Sequence, residues 1–550
     1  MIKSEYDMTL ELSSEARLFA QKVARSVIEI ESNVNNIADV VVLLDVLGYR
    51  NEDVKEYGFD DLFDLANHIY GFVDAYEDRE RSREDYVKTF TMPIGGTTKR
   101  IAESLGMLFP FLGSLLLLFL TGASLWMVWG LPAQVSTALV VGVFLGLVVS
   151  EGMLHVFSKL FNFYLEQGNV GEIKRVLKKQ YAVAGIVMSG TVGLLFAYGY
   201  FSHIPLGLVA ISSISTVTIS LHRLSYMVIF ALKKLVHIIL PYSAAFATIF
   251  VVYFMSSSLI HEATVRYFTA LAVAFSILSV FAVYHNLKIV SLKPSSKISP
   301  DAPHFYKPRA LTDKTLQSNF RVQFWESLPN FLFGTFYFIM MFSDRIISWS
   351  HNPIKIGDVV LPLGFNSVYH VGADVALTIM VPATIIQYVM ASPLYRQINN
   401  VSVTSRVSEV ENIRSLIRGN YRRVFAISIS ASVITAIVIN LVVPQLPAYH
   451  GVASDSIQIM RIASIGNIFL TVFSANAVYV GVINKLKPLA FTVLISAIVV
   501  GAGGLVFGRY GLEYITISYV VSTAVAAALS TLYLRRTFRN FSSIFFARYV

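Results

Sequence analysis

Twelve apolar stretches, each long enough to cross a membrane as a helix, recur in this sequence between residues 102 and 534. A helix needs about 20 apolar residues to span the hydrocarbon of a bilayer. Inside lipid every backbone polar group must be satisfied within its own segment, so such stretches fold as helices. Only 14% of the residues are charged and 55% are hydrophobic. The sequence therefore predicts an all-α, polytopic membrane protein with 12 transmembrane helices.

Lys and Arg residues lie mostly on one side of the predicted membrane. About 32 fall in the loops on the side that includes residues 79–100, whereas Arg266, Lys355 and Arg509 fall on the other. The positive-inside rule places the basic side in the cytoplasm. We therefore predict a multi-pass protein of the cell membrane with both termini in the cytoplasm. The predicted spans are 102–128, 134–156, 181–201, 206–230, 236–257, 265–287, 327–349, 368–392, 423–444, 458–482, 487–508 and 512–534.

Charge divides the chain into regions. Residues 1–90 hold twenty Asp and Glu against ten Lys and Arg, with apolar residues at helical spacing, which predicts an acidic cytoplasmic helical region. This region either docks a partner or only aids assembly and stability. Residues 91–290 then form an N-terminal six-helix lobe, 291–325 a basic cytoplasmic linker, and 326–550 a C-terminal six-helix lobe with a short basic tail.

Two short motifs occur once in each set of six spans. IKRVLKKQY at Ile173–Tyr181 matches IRSLIRGNY at Ile413–Tyr421, and ISSI at Ile211–Ile214 matches IASI at Ile462–Ile465. Each half has an even number of spans, so the halves share one membrane orientation. The repeat predicts two lobes that face each other across a central site, with the first, second, seventh and eighth spans lining it.

The predicted seventh span carries two adjacent charges, Asp344 and Arg345, near its end. Charged side chains at membrane depth are costly and usually face protein or water. Helical steps of three and four place Asn330, Tyr337 and Ser348 on the same stripe as this pair. The stripe predicts the wall of a water-filled cavity. The alternative is a local ion pair that reaches the headgroups.

Other predicted spans also contain polar residues. In the eighth span, Pro382 follows the polar residues His370 and Asp374 and is expected to kink the helix. From the sequence, each of these residues is expected either to line a cavity or to contact a neighbouring helix or the lipid headgroups. The candidates are His370 and Asp374 in the eighth span, Arg223 with its neighbours His222 and Tyr226 in the fourth, Glu151 in the second and Arg461 in the tenth.

The six-plus-six arrangement, the basic cytoplasmic loops after the second and eighth spans and the small external face resemble the multidrug, oligosaccharidyl-lipid and polysaccharide (MOP) flippase superfamily. Within it, FYFIMMFSDRIISWS at Phe336–Ser350 and SVYHVGADVALTIMVPA at Ser367–Ala383 resemble the seventh and eighth spans of the Pel exopolysaccharide exporter family. The acidic N-terminal region departs from that family. The resemblance implies polysaccharide export, or flipping of a lipid-linked saccharide, by alternating access between the lobes. It also implies membrane lipid, the saccharide and a cytoplasmic synthase or glycosyltransferase as partners.

An anionic saccharide needs fixed cations to cross the hydrocarbon, and arginine offers a permanent charge with a bidentate fork. We therefore predict that Arg345, followed by Arg461 and Arg223, binds an anionic group of the substrate. Asp344 and Asp374 would hold these cations or exchange a proton.

Two other functions compete with this prediction. A cation-coupled multidrug antiporter would bind H⁺ or Na⁺ at Asp344, Asp374 or Glu151, and it needs an unpaired carboxylate among aromatic residues rather than an accessible arginine. An integral membrane glycosyltransferase is less favoured, because no metal motif or paired-carboxylate loop occurs. The sequence has no cysteine and no phosphate-binding glycine motif. It therefore predicts no cofactor, no metal or catalytic site and no nucleic-acid partner.

Overall fold

The computed structural model describes residues 14–30, 37–70, 94–125, 131–166, 170–231, 235–290, 320–356, 359–404, 410–445, 454–482 and 486–541. Within these ranges the chain contains 12 helices that are long and apolar enough to cross a membrane. The all-α class and the number of spans are therefore confirmed. Most of the predicted basic linker, residues 291–319, lies outside the described ranges.

The spans are numbered 1 to 12 in chain order. Those of the N-terminal lobe are Ile94–Thr121, Ala133–Glu166, Val170–Phe201, Leu206–Ala231, a composite span 5 and Ala263–Val290. Span 5 joins Leu235–Ile238, Ile239–Phe250, the π-helical turn Val251–Met255 and Ser256–Ser258. Those of the C-terminal lobe are Phe320–Ser348, Ser367–Leu377 with Met380–Thr404, Val410–Val442, Ser454–Val482, Lys487–Phe507 and Leu512–Arg539. Short 3₁₀ turns at Trp349–His351, Val443–Gln445 and Gly508–Tyr510 follow spans 7, 9 and 11.

Contacts divide the chain into two compact units. The smaller comprises Met1–Gly96 and Ser392–Arg418, and the larger comprises Thr97–Ala391 and Gly419–Val550. The smaller unit contains helices at Ser14–Ile30, Ile37–Val46, Asn51–Lys55 and 62–70. Their apolar faces pack around a buried cluster that includes Val23, Leu44 and Ile69. The helices that the sequence predicts before the first span are thus present.

Equivalent tyrosines of the repeated motif make equivalent contacts in the two lobes. Tyr181 in span 3 donates a hydrogen bond to Ser225 Oγ in span 4 over 3.2 Å. Tyr421 in span 9 donates one to Asn476 Oδ1 in span 10 over 2.7 Å. Ser225 and Asn476 are separated by the same number of residues as the ISSI and IASI motifs. The repeat therefore recurs in the packing of the lobes.

A short β-hairpin joins spans 7 and 8. Its strands, β1 (Ile354–Ile356) and β2 (Val359–Leu361), pair antiparallel. We call the end of the spans that carries this hairpin the hairpin end. The opposite end, where span 6 stops and span 7 starts, is the linker end.

At the hairpin end, the loop between spans 7 and 8 binds span 2 of the other lobe. Gln134 donates from Nε2 to the backbone oxygen of Lys355 over 3.0 Å. The backbone N–H of Phe365 donates to Thr137 Oγ1 over 2.8 Å. Beneath these bonds lies a buried apolar cluster of Leu118, Trp349 and Phe365. Polar and apolar contacts thus join the lobes at this end.

Near the middle of both helices, on the linker side of Tyr337, span 2 crosses span 7 with no room for side chains. A Cβ atom on Gly334 would lie 2.5 Å from Cδ2 of His155 and 2.9 Å from the backbone oxygen of Glu151. A Cβ atom on Gly152 would lie 2.3 Å from Thr335 Oγ1. These distances are shorter than van der Waals contact, so this crossing requires glycine at both positions.

Span 8 makes a second contact on the linker side. Tyr388 donates a hydrogen bond to Glu103 Oε2 in span 1 over 3.0 Å. This span is broken at Thr378 and Ile379, because Pro382 has no N–H to bond the Thr378 carbonyl. The kink that the sequence predicts is confirmed. With contacts at both ends, the space between the lobes lies within the membrane-spanning section.

Candidate functional site

A cavity of about 540 Å³ lies between the two lobes. Spans 1, 2, 4 and 5 form one wall and spans 7 and 8 the other. Aliphatic and aromatic side chains make up most of the wall, as is usual for small-molecule sites. Four ionisable residues of the N-terminal lobe line it, namely His222, Arg223, Tyr226 and Tyr242, together with Tyr337, Arg345, His370 and Asp374 of the C-terminal lobe.

Arg345 is the centre of a buried ion cluster near the hairpin end. Its Nε donates to Asp374 Oδ1 over 2.9 Å, and its Nη1 donates to the Met341 carbonyl over 2.9 Å and to Asp344 Oδ1 over 3.2 Å. Tyr369 donates to the other oxygen of Asp344 over 2.8 Å. Only 2% of the Arg345 side chain is exposed, against 30% for Asp374. Asp374 is therefore the more accessible charge of the pair.

The hairpin-end cluster contains more negative than positive charge. Asp344 and Asp374 face a single guanidinium. His370 Nδ1 lies 3.8 Å from Asp374, and the Trp349 indole N–H donates to His370 Nε2 over 3.0 Å. An indole only donates, so Nε2 accepts, and a neutral His370 carries its proton on Nδ1. Protonation of Nε2 would break the Trp349 bond. With both carboxylates ionised and His370 neutral, the formal charge of the cluster is −1.

A second ion cluster lies toward the linker end. Arg223 Nη2 donates to Glu151 Oε2, and His155 Nε2 lies 3.3 Å from the other oxygen of Glu151. The Arg223 side chain is 25% exposed and lines the cavity, while the side chain of Glu151 is more deeply buried. Arg223 is therefore the more accessible of the two cavity arginines.

Two phenylalanines on span 7 connect the clusters. The rings of Phe338 and Phe342 stack with centroids 5.6 Å apart. The guanidinium carbon of Arg223 lies 4.9 Å from the Phe338 centroid, and that of Arg345 lies 5.0 Å from the Phe342 centroid. Both distances are typical of cation–π contacts. The cavity therefore has a guanidinium from each lobe at opposite ends of one stacked aromatic pair.

The structure places three candidates away from this cavity. Arg461 has an exposed side chain on span 10 and does not line the cavity. Two turns later on the same span, Asn467 accepts a hydrogen bond from Tyr519 within the C-terminal lobe, so the polar face of span 10 serves helix packing. Asn330 and Ser348 are buried outside the cavity. The predicted stripe is therefore the cavity face of span 7 only in part: Tyr337 and Arg345 line the cavity, and aromatic residues outside the stripe make up much of the rest of that face.

Several lining residues carried no sequence signal. Phe338, Phe342 and Trp349 resemble the aromatic residues that lipid-facing helices commonly carry. Ser114 is the only polar residue within Phe111–Leu120, and Tyr242 carries no charge that would single it out. Their positions become informative only once the lobes are placed together.

Among the described residues, no three His, Asp or Glu side chains lie close enough to hold a metal ion.

Comparisons at the level of sequence find no matching protein-family model and no matching curated protein. Comparison of folds does find matches. The outward-facing conformation of a multidrug resistance MATE family transporter of the MOP superfamily has a TM-score of 0.56 and 15% identity, over 81% of this chain and 97% of that chain. The inward-facing conformation of a multidrug resistance MATE family transporter of the MOP superfamily has a TM-score of 0.54 and 13% identity, over 80% of this chain and 98% of that chain. The chain shares the fold of these MOP superfamily transporters.

A third match is a MOP superfamily transporter from Pyrococcus furiosus, described as having a binding pocket of reverse polarity that suggests a different function. Its TM-score is 0.54 at 14% identity, over 80% of this chain and 96% of that chain. At 13–15% sequence identity, what this chain shares with these three proteins is the fold.

Proposed function

We propose that this protein is a transporter that exports or flips an anionic polysaccharide or lipid-linked saccharide across the cell membrane. The observation that carries the proposal is the cavity between the lobes, with Arg223 and Arg345 at opposite ends of one aromatic wall. A phosphate or carboxylate cannot enter hydrocarbon without a compensating charge. A guanidinium from each lobe provides that charge within the membrane-spanning section.

Transport would proceed by alternating access. The contacts of Gln134 and Thr137 join the lobes at the hairpin end, and the glycine crossing and the Tyr388–Glu103 bond join them on the linker side. Release of one set while the other holds would open the cavity to one side at a time. The similar MATE family structures include an outward-facing and an inward-facing conformation, which is compatible with such a cycle in this fold.

The two arginines would act in order. Arg223 is the more accessible and would meet the anionic group first. Arg345 is bound by Asp344 and Asp374, so an anion that binds its Nε must displace the more exposed Asp374. Displacement of a carboxylate from a buried guanidinium is unfavourable unless that carboxylate gains a proton or another cation. Asp374 is thus our candidate for coupling transport to an ion.

A cation-coupled multidrug antiporter is the second candidate function. The excess negative charge of the hairpin-end cluster and the aromatic wall favour it. The pairing of Asp374 with Arg345 favours the anionic substrate instead, because an organic cation would require an unpaired carboxylate in the cavity. Arg223 adds a positive charge to the same wall. On this charge balance we prefer the anionic substrate.

The finer features of the proposal rest on the sequence. The distribution of Lys and Arg assigns the linker end to the cytoplasm and the hairpin end to the outside. The motifs in spans 7 and 8 that resemble the Pel exporter family suggest exopolysaccharide as the substrate. A cytoplasmic synthase or glycosyltransferase would then supply the chain at the linker end.

Substitution of Arg345 tests the proposal in a cellular export assay or in proteoliposomes. Arg345→Lys should lose part of the transport, and Arg345→Ala nearly all of it. Arg461→Ala, which removes an arginine outside the cavity, is the matched control and should transport normally. Since Arg345→Ala leaves two buried carboxylates unpaired, the double variant Arg345→Ala/Asp374→Asn should restore folding without restoring transport. If Arg345→Ala transports normally while Asp374→Asn abolishes transport, the antiporter is the correct function.

A further inference from the structure

The wall that the N-terminal lobe contributes to the cavity contains unpaired polar atoms. Four buried atoms there have no hydrogen-bond partner among the described residues, namely Ser114 Oγ, His222 Nδ1, Arg223 Nε and Tyr226 OH. All four residues line the cavity. Each unpaired buried polar atom costs about 1–3 kcal/mol, and native proteins keep few of them. Because these four atoms lie on one wall of one cavity, a single ligand could pair with all of them.

Three of these residues lie within two turns of span 4, and Ser114 lines the same cavity from span 1. His222 and Tyr226 have ring centroids 4.6 Å apart, and His222 Nε2 lies 2.5 Å from the hydroxyl of Tyr242. Ser114 and Tyr226 are each 2% exposed and His222 is 5% exposed. The opposite wall differs, because Arg345 and Asp374 are hydrogen-bonded to each other there. The unsatisfied hydrogen-bonding capacity of the cavity thus lies in the N-terminal lobe.

The chemistry of the unpaired atoms limits what could satisfy them. Arg223 Nε only donates, the hydroxyls of Ser114 and Tyr226 both donate and accept, and His222 Nδ1 does one or the other. An organic cation would be repelled by Arg223 and offers no acceptor for its N–H. A sugar ring has adjacent hydroxyls that donate and accept, and a carboxylate on the ring accepts from a guanidinium. Its C–H face can also pack on the neighbouring Phe338.

We propose that Ser114, His222, Arg223 and Tyr226 form a subsite for one acidic sugar residue of the substrate. This proposal rests on the proposed function and names the chemical class that this wall recognises. The carboxylate binds Arg223, and the ring hydroxyls bind Ser114, His222 and Tyr226. Because the four atoms are covered in this conformation, binding is accompanied by rotation of the hydroxyl and ring side chains toward the sugar.

The test uses the full chain in lipid nanodiscs, with digalacturonate as the probe and calorimetry as the readout. Ser114→Ala and Tyr226→Phe each remove one unpaired hydroxyl. Each should weaken binding about five- to tenfold, since one hydrogen bond is lost. Each should also raise the midpoint of thermal unfolding without ligand, because an unsatisfied buried group is gone. A residue with a purely structural role would not combine these two effects.

Ser213→Ala is the matched control. Ser213 has the same unpaired, buried hydroxyl on span 4 but does not line the cavity. This variant should raise the unfolding midpoint and leave the affinity for digalacturonate unchanged. If Ser114→Ala and Tyr226→Phe bind digalacturonate as tightly as the wild type, or lower the unfolding midpoint without ligand, the subsite is wrong.

Three further ligands separate this proposal from the proposed function. Neutral galactobiose should bind at least tenfold more weakly than digalacturonate, because it lacks a carboxylate for Arg223. Equal binding of the two sugars overturns the acidic subsite and leaves the proposed function standing. Binding of tetraphenylphosphonium by the wild type, with no binding of digalacturonate, overturns the proposed function as well. A polyprenyl diphosphate-linked disaccharide shows whether the acidic sugar belongs to a lipid-linked saccharide or to a free polysaccharide. Tighter binding than that of the free sugar supports a subsite for a lipid-linked substrate. Equal binding supports a subsite for a free chain.

Discussion

A single methyl group at Gly334 should open the linker end. In Gly334→Ala the new carbon would lie 2.9 Å from the backbone oxygen of Glu151 and 2.5 Å from the His155 ring. The backbone of span 2 cannot turn away as a side chain could, so spans 2 and 7 must separate. Overpacking of this kind costs about 1–3 kcal/mol. Because this cost applies only to conformations with the linker end closed, the conformational equilibrium should shift about 5- to 150-fold toward linker-end opening.

The shift can be measured by double electron–electron resonance. The chain has no cysteine, so cysteines introduced at Phe163 and Trp325, which are exposed on spans 2 and 7, would be the only spin-labelling sites. Gly334→Ala should increase the population with the longer distance between the labels. Gly152→Ala should act more weakly, because its nearest contacts are side-chain atoms of Thr335 and Phe331, which can shift, rather than backbone atoms.

Gly185→Ala is the matched control for these measurements. No atom lies within 4 Å of a Cβ added at Gly185, which is in the interior of span 3. This variant should leave the distance distribution unchanged and slightly favour the helix. Identical distributions for Gly334→Ala and Gly185→Ala would show that the glycine crossing does not set the separation of the lobes, and the reasoning above would fail.

Two further predictions concern the hairpin end and the orientation of the chain. Trp349→Phe keeps the apolar packing but removes the N–H that donates to His370 Nε2, so it should loosen the hairpin end. A cysteine introduced at Phe342 should then react faster with an impermeant maleimide. An unchanged rate would contradict this role of Trp349. A reporter that is active only outside the cell, fused after Val550, should give no signal, and a strong signal would refute the predicted topology.

Sequence periodicity predicted the twelve spans, the repeat and the break before Pro382, because length, hydropathy and proline chemistry are local properties. It also singled out Arg345, Asp374, His370 and Arg223, which the structure brings to one cavity. Charge inside an apolar segment is rare enough to carry information on its own.

The cavity face of span 7 could not be predicted in the same way. Helical spacing grouped Asn330 with Tyr337 on one stripe, but it cannot tell which neighbour that stripe will meet. Asn330 is instead buried outside the cavity, near the glycine crossing. The cavity is lined by Phe338 and Phe342, and an aromatic ring that faces a cavity has the same sequence signature as one that faces lipid. Likewise, the requirement for Gly334 depends on the path of a helix in the other lobe.

The contacts at the hairpin end have an evolutionary consequence. Gln134 and Thr137 bind a carbonyl and an N–H of the loop between spans 7 and 8, not its side chains. Any residue can supply a carbonyl, so substitutions can accumulate in the strands of the hairpin without breaking either bond. Selection would act instead on Gln134, on Thr137 and on the length of the loop, which determines the positions of the Lys355 carbonyl and the Phe365 N–H. Distant relatives should therefore be recognised by the spacing between these two spans and by a polar pair at the start of span 2, even where the loop itself shares no residue with this one.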